Sequence, residues 1–182
     1  MKRLLTILQI CCVMTGAASS VSVFADEAAK TNSATAGIRV GTFDSRLVAT
    51  AYVRSDPFHQ RLAEMHAELE AAKASNDEKR VKQLEANGAA LQHLIHKQGF
   101  STWPVHDILQ TIKEELPRIA KQADVDLIVS KWDVVFQGTS VEAVDVTDLM
   151  VAPFHPNEET KKVLESLRRK TPVPLGQLNK HK

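Results

Sequence analysis

Cysteine is nearly absent. Cys11 and Cys12 are the only two, and both fall within the first 25 residues. Once that stretch is removed the chain has no thiol, so it has neither a disulfide nor thiol chemistry, and its stability must come from packing or from assembly with other chains. A lipoprotein site needs a small residue before its cysteine, and Cys11 follows Ile10, which argues against lipid attachment. Long apolar runs are missing beyond residue 25, so no later segment is apolar for the roughly 20 residues that span a bilayer. Gly-x-Ser-x-Gly, His-Glu-x-x-His and a glycine-rich phosphate loop are missing too, and with them the sequence grounds for the chemistries they carry. Charge of one sign is not in excess. The chain has 23 Lys/Arg against 22 Asp/Glu, and residues 26–182 have 21 against 22. That balance argues against nucleic acid, which requires concentrated positive charge.

Residues 1–25 carry Lys2 and Arg3, an apolar stretch over 4–13, and small residues ending in Val23 and Ala25. This is the pattern of a secretory signal peptide cut after Ala25. Residues 26–37 are small and polar and read as a disordered leader. "IRVGTFD" alternates, with Ile38, Val40 and Thr42 on one side and Arg39, Gly41 and Phe43 on the other, predicting a short strand that Asp44 ends. Asp56 and Pro57 open a helix. Its apolar residues Phe58, Leu62, Met65, Leu69 and Ala72 are spaced 4, 3, 4, 3, the spacing of a coiled-coil seam. After "SNDEK" the pattern resumes at Val81, Leu84, Gly88, Leu91, Ile95 and Gln98. Residues 56–98 therefore read as an antiparallel helical hairpin. Gly99 ends the second arm, and Ser101 or Thr102 is the expected cap of a third helix carrying Val105, Ile108, Leu109, Ile112, Leu116 and Ile119, which Pro117 kinks or splits. Three β-rich runs follow, "VDLIVS", "WDVVFQ" and "SVEAVDV", with a turn at Gln137, Gly138 and Thr139. A last helix starts near Asn157, and the tail is proline-interrupted. The expected fold class is α+β: a small β-sheet body, made of the first strand and about three C-terminal strands, with a projecting antiparallel helical hairpin.

Candidate chemistry is thin. In "DVTD", Asp145 and Asp148 supply two oxygen ligands where a hard cation wants several. Strand termination by Asp145, capping by Thr147 and a dipole-favoured Asp148 explain the same residue types. His59 and His66 on one arm and His93 and His96 on the other could approach one another and bind zinc, but by heptad position His93 and His96 are outer, solvated residues. Ser130, Lys131 and Asp133 alternate faces along a strand and form no catalytic set. No catalytic, cofactor-binding or metal residue is assigned, and the protein reads as a non-enzyme. Phe100 and Trp103, in one short loop, either clasp a client or subunit or plug the junction beneath the arms.

The segment "LPRIAKQADVDLIVSKWDVVFQGTSVEAVDVTDLMV" and the opening "IRVGTFDS" resemble the OmpH/Skp family of periplasmic outer-membrane-protein chaperones, over residues 38–152. Residues 153–182, a C-terminal helix and extended tail, lie beyond that family's usual end. The resemblance implies a periplasmic location, a homotrimer without cofactor, and ATP-independent holding of unfolded outer-membrane proteins. Met65, Leu69, Leu91, Ile95, Phe100 and Trp103 are the expected contact set. The alternative is a non-catalytic structural or assembly module of the cell envelope, with the same fold and no client holding.

Overall fold

The structure, a computed structural model, describes residues 37–172. The expected signal peptide, most of the expected leader and the end of the tail lie outside the described residues. Within them the order is β1 (Arg39–Phe43), α1 (Ser45–Val53), α2 (Asp56–Ala74), α3 (Glu78–Gly99), α4 (His106–Thr111), α5 (Leu116–Ala123), β2 (Leu127–Ser130), β3 (Glu142–Asp145), α6 (Thr147–Val151), a 3-10 turn (Ala152–Phe154) and α7 (Glu158–Arg168). The three strands form one sheet in the order β2-β1-β3. Both pairings are parallel, with Val40 opposite Leu127 and Ala143, and Gly41 opposite Ile128 and Val144.

The strand alternation sorts residues by face. Phe43, Ile128 and Val144 join the central core, and Gly41 is buried among them. A Cβ on Gly41 would come within 3.1 Å of Val125 and 3.2 Å of Val146, so a bare backbone lets these two valines close over the middle strand. On the other face Val40, Thr42, Val129, Leu127, Ala143 and Asp145 are half-buried or exposed.

The core is organised around α1. Asp44 caps it, its carboxylate accepting from Arg46 N. Seven of its nine residues are buried, Leu47, Val48 and Ala51 among them. Tyr52 meets the rings of Phe58 and Phe154 edge-on at 5.1 and 5.9 Å. α3, α6 and α7 all pack on α1. The helix expected over residues 105–119 is two helices, because Pro117 fits only the first turn of α5. Asp124, in the left-handed region, ends α5 and turns the chain into β2.

This corrects the expected fold class. The expectation was a sheet of about four strands with an antiparallel helical hairpin projecting from it. The structure instead sets seven helices with a three-stranded, all-parallel sheet. Two physical reasons account for the difference. "WDVVFQ" has strand composition but pairs with no strand among the described residues, and it serves as part of the return connection from β2 to β3. α3 also packs against α1 as well as against α2, and its Leu91 and Ile95 join the edge of the core.

Candidate functional site

α2 and α3 pack on each other and are linked by residues 75–77, where Asn76 takes a left-handed turn. Asp77 caps α3 by accepting from Arg80 N at 2.9 Å, and Arg80 reaches back to Glu68 at 2.8 Å. The seam between the two helices is narrow. Phe58 and Ala72 are the buried residues of α2, and Leu84 and Gln98 those of α3. Met65, Leu69, Val81, Leu91 and Ile95 are half-buried, and Leu62 is exposed.

Gln98 builds the base of this pair. Its side-chain amide donates to Pro104 O at 3.1 Å and to Asp107 Oδ1 at 2.5 Å, and so fixes the loop that leaves α3. Thr102, an expected helix cap, instead donates from its hydroxyl to Lys97 O, and Val105 occupies the cap position without a side-chain bond. Phe100 and Trp103 stand out of this loop with 38% and 50% of their surface exposed. Lys97 Nζ lies 4.9 Å from the Trp103 ring centre. Between this loop and the ends of β1 and β2 is a cavity of about 280 Å³, lined by Phe43, Ser45, Trp103, Val105, Ile128 and Asp133 among others.

The six expected contact residues therefore fall into three places. Met65 and Leu69 lie along the α2–α3 seam, Leu91 and Ile95 also touch the core, and Phe100 and Trp103 stand on the surface of the loop below.

Asp44, between the cavity-lining Phe43 and Ser45, is the centre of a polar hub that the sequence reading did not identify. Asp44 is 1% exposed. Its carboxylate meets Arg46 Nη2 at 2.8 Å, Lys131 Nζ at 2.8 Å and Trp132 Nε1 at 3.1 Å, and its amide donates to Thr147 Oγ1 at 3.0 Å. Burial pushes the Asp44 carboxyl up, but hydrogen bonds from Arg46, Lys131 and Trp132, with the Arg46 charge, outweigh it and lower it from 3.8 to about 2. The Arg46 guanidinium and the Lys131 ammonium also lie 4.7 and 4.5 Å from the Trp132 ring centre. Trp132, expected in a strand, is a cover over this ion cluster. Arg46 Nη1 then donates to Lys170 O at 2.9 Å, tying the end of α7 to the start of α1. The one signal in the sequence is an Asp-Ser-Arg at a strand end, which needs partners about ninety residues away to mean anything.

"DVTD" resolves into structural contacts. Asp145 ends β3 and accepts from Thr147 N. The Thr147 hydroxyl serves Asp44 rather than capping α6. Arg168 is bonded to Asp148 and lies 3.8 Å from Asp145. His59, His66, His93 and His96 are all exposed, and among the described residues no three His, Cys, Asp or Glu side chains gather as a metal site. No helix of the described residues is long and apolar enough to cross a membrane.

Among the described residues, the β2–β3 connection holds three consecutive exposed apolar side chains. Val135 is fully exposed, Phe136 is 86% exposed and Val134 is also exposed. No family model, curated protein or solved structure matches the chain.

Proposed function

We propose that this protein is a periplasmic holdase-type chaperone that keeps unfolded outer-membrane proteins from aggregating, without ATP. The observation that carries the reading is how little α2 and α3 bury. They are 19 and 22 residues long, yet four residues in all are buried. A helix that serves only the fold turns a broad apolar stripe to the core. These two keep a shallow apolar strip bordered by charge, with Leu62, Met65 and Leu69 along it and Phe100 and Trp103 below. Such a strip binds an extended apolar chain weakly at many points, and multivalency supplies the affinity. In the test, an unfolded β-barrel membrane protein is diluted from urea with and without equimolar protein. Light scattering should rise more slowly in its presence, and an unchanged rate overturns the reading.

The working assembly in this reading is a homotrimer. A parallel sheet is ordinarily covered on both faces, and here one face lies outside the central core. An exposed apolar run such as Val134, Val135 and Phe136 marks an interaction surface. Strands from neighbouring copies would cover both. Light scattering should give three times the chain mass.

The second reading is a structural or assembly module of the cell envelope. It draws support from Leu91 and Ile95, which already touch the core, and from the near-neutral charge of residues 56–98, with 6 Lys/Arg against 7 Asp/Glu. Capture of one folded partner at fixed stoichiometry, with no effect on aggregation, would favour it.

A further inference from the structure

We propose that the cavity at the carboxyl ends of β1 and β2 binds a small neutral ring bearing several hydroxyls, a single sugar residue. Its place in the fold comes first. Phe43 and Ser45 line it where β1 ends and α1 begins, and Ser130 lines it at the last position of β2. The carboxyl ends of neighbouring parallel strands are where open parallel sheets take up their ligands. The volume, about 280 Å³, is at the small end of the roughly 300–1,000 Å³ of ligand pockets. It suits one ring and excludes a folded chain.

The floor of the cavity is apolar. Phe43 and Val105 are buried there, and Leu109 and Ile128 pack against the core. On this floor is a polar group that the fold does not use. Ser45 is 5% exposed, and its hydroxyl bonds to no other described residue. The buried polar residues around it, Asp44, Arg46 and Thr147, are all bonded. A buried hydroxyl is ordinarily satisfied, so this one is free for a ligand.

The rim offers donors and acceptors together. The Ser101 and Thr102 hydroxyls donate to Phe100 O and Lys97 O, which leaves their lone pairs to accept. Ser130 Oγ accepts from Trp132 N and keeps its proton to donate. The Asp133 carboxylate is exposed and makes no hydrogen bond or ion pair among the described residues. Trp103 adds a half-exposed ring. A polyol ring fits this set: its hydroxyls both donate and accept, and its C–H face can lie on the negative face of the indole.

Charge selects against the other small ligands. An anion at a helix start needs free amides, but the Asp44 carboxylate already takes the Arg46 amide, and Asp133 lines the same space. A cation would meet the Lys97 ammonium, which lies over the Trp103 ring. The inference does not rest on the chaperone reading, because no client is present when the cavity is titrated.

The experiment uses the chain from Asp26 onward, which keeps every described residue. It is titrated separately with glucose, galactose, mannose and N-acetylglucosamine, and followed by amide nuclear magnetic resonance. At least one sugar should bind saturably, with a dissociation constant on the order of 1 mM. The amides of Ser45, Ser101, Thr102, Trp103 and Ser130 should shift, and those of α7 should not. Trp103→Ala and Asp133→Asn should each weaken binding about tenfold, with circular dichroism unchanged because both side chains are exposed. Ser45→Ala should weaken it about fivefold. The proposal is overturned if no sugar shifts these amides at tens of millimolar, if the shifts spread evenly over the chain, or if binding survives the Trp103→Ala, Asp133→Asn double variant. It is overturned too if glucuronate or choline binds more tightly than every neutral sugar, which would assign the cavity to an anion or a cation.

Discussion

Asp44 is where one atom group supports the most structure, because its carboxylate joins the end of β1, the start of α1 and the end of β2, and its amide reaches α6. Its folded pKa, about 2, lies below the unfolded value of 3.8. The stabilisation it brings is therefore present above pH 3.8 and is lost as pH falls through about 2. At neutral pH the difference corresponds to roughly 2 kcal/mol. Asp44→Asn should cost more than that, about 3–5 kcal/mol, since it leaves the buried Arg46 without its counter-charge. Urea unfolding at neutral pH measures the loss, and the same titration carried down in pH should show the variant with a flatter acid dependence than the parent. Gly41 makes the opposite kind of demand, for empty space. Gly41→Ala should destabilise the fold by about 1–3 kcal/mol, because Val125 and Val146 already sit at the distance its methyl would need.

At the level of elements, α2 and α3 depend on few contacts, and Leu84 is one of the buried ones. Leu84→Ala should cost about 2–4 kcal/mol. The loss should fall mainly on α2 and α3, so hydrogen exchange should quicken in residues 60–95 while β1 and α1 keep their protection. How readable each element was in the sequence follows from how local its causes are. The seam residues Phe58, Met65, Leu69, Leu84 and Gln98 could be identified from spacing, Pro117 marked where the third helix divides, and Asn157 marked a helix start, because these signals act within one or two turns. α1 was missed: "LVATAYV" is apolar on nearly every side, so a helix buried on nearly all faces leaves no periodic stripe to detect. Residues 132–137 were misread for the converse reason. Their β-branched and aromatic composition is real, but composition cannot supply a partner strand. Nor could four-residue strands announce whether they pair in parallel. The contact set is less legible still, since Leu91 and Ile95 look like seam residues in sequence and touch the core only because α1, itself missed, lies beside them.

For the molecule as a whole, the open face of the sheet and the exposed β2–β3 connection make assembly the property to measure first. Val135→Ser with Phe136→Ser removes two exposed side chains that support nothing inside the chain, so monomer stability should change by less than about 0.5 kcal/mol. In a trimer built through this run, the same pair should shift the scattering mass toward one chain; a mass equal to the parent's would assign the interface elsewhere. The order of the strands carries one more consequence, which concerns the birth of the protein. β1 is the middle strand, yet its partners begin at Leu127 and Glu142, and the Arg46 that closes the ion cluster also takes hold of Lys170. Contacts so distant along the chain form late and slowly. A growing chain emerging from the ribosome thus cannot complete its centre until Lys170 has been made, and until Leu127 and Glu142 have followed, its first strand has neither of its neighbours.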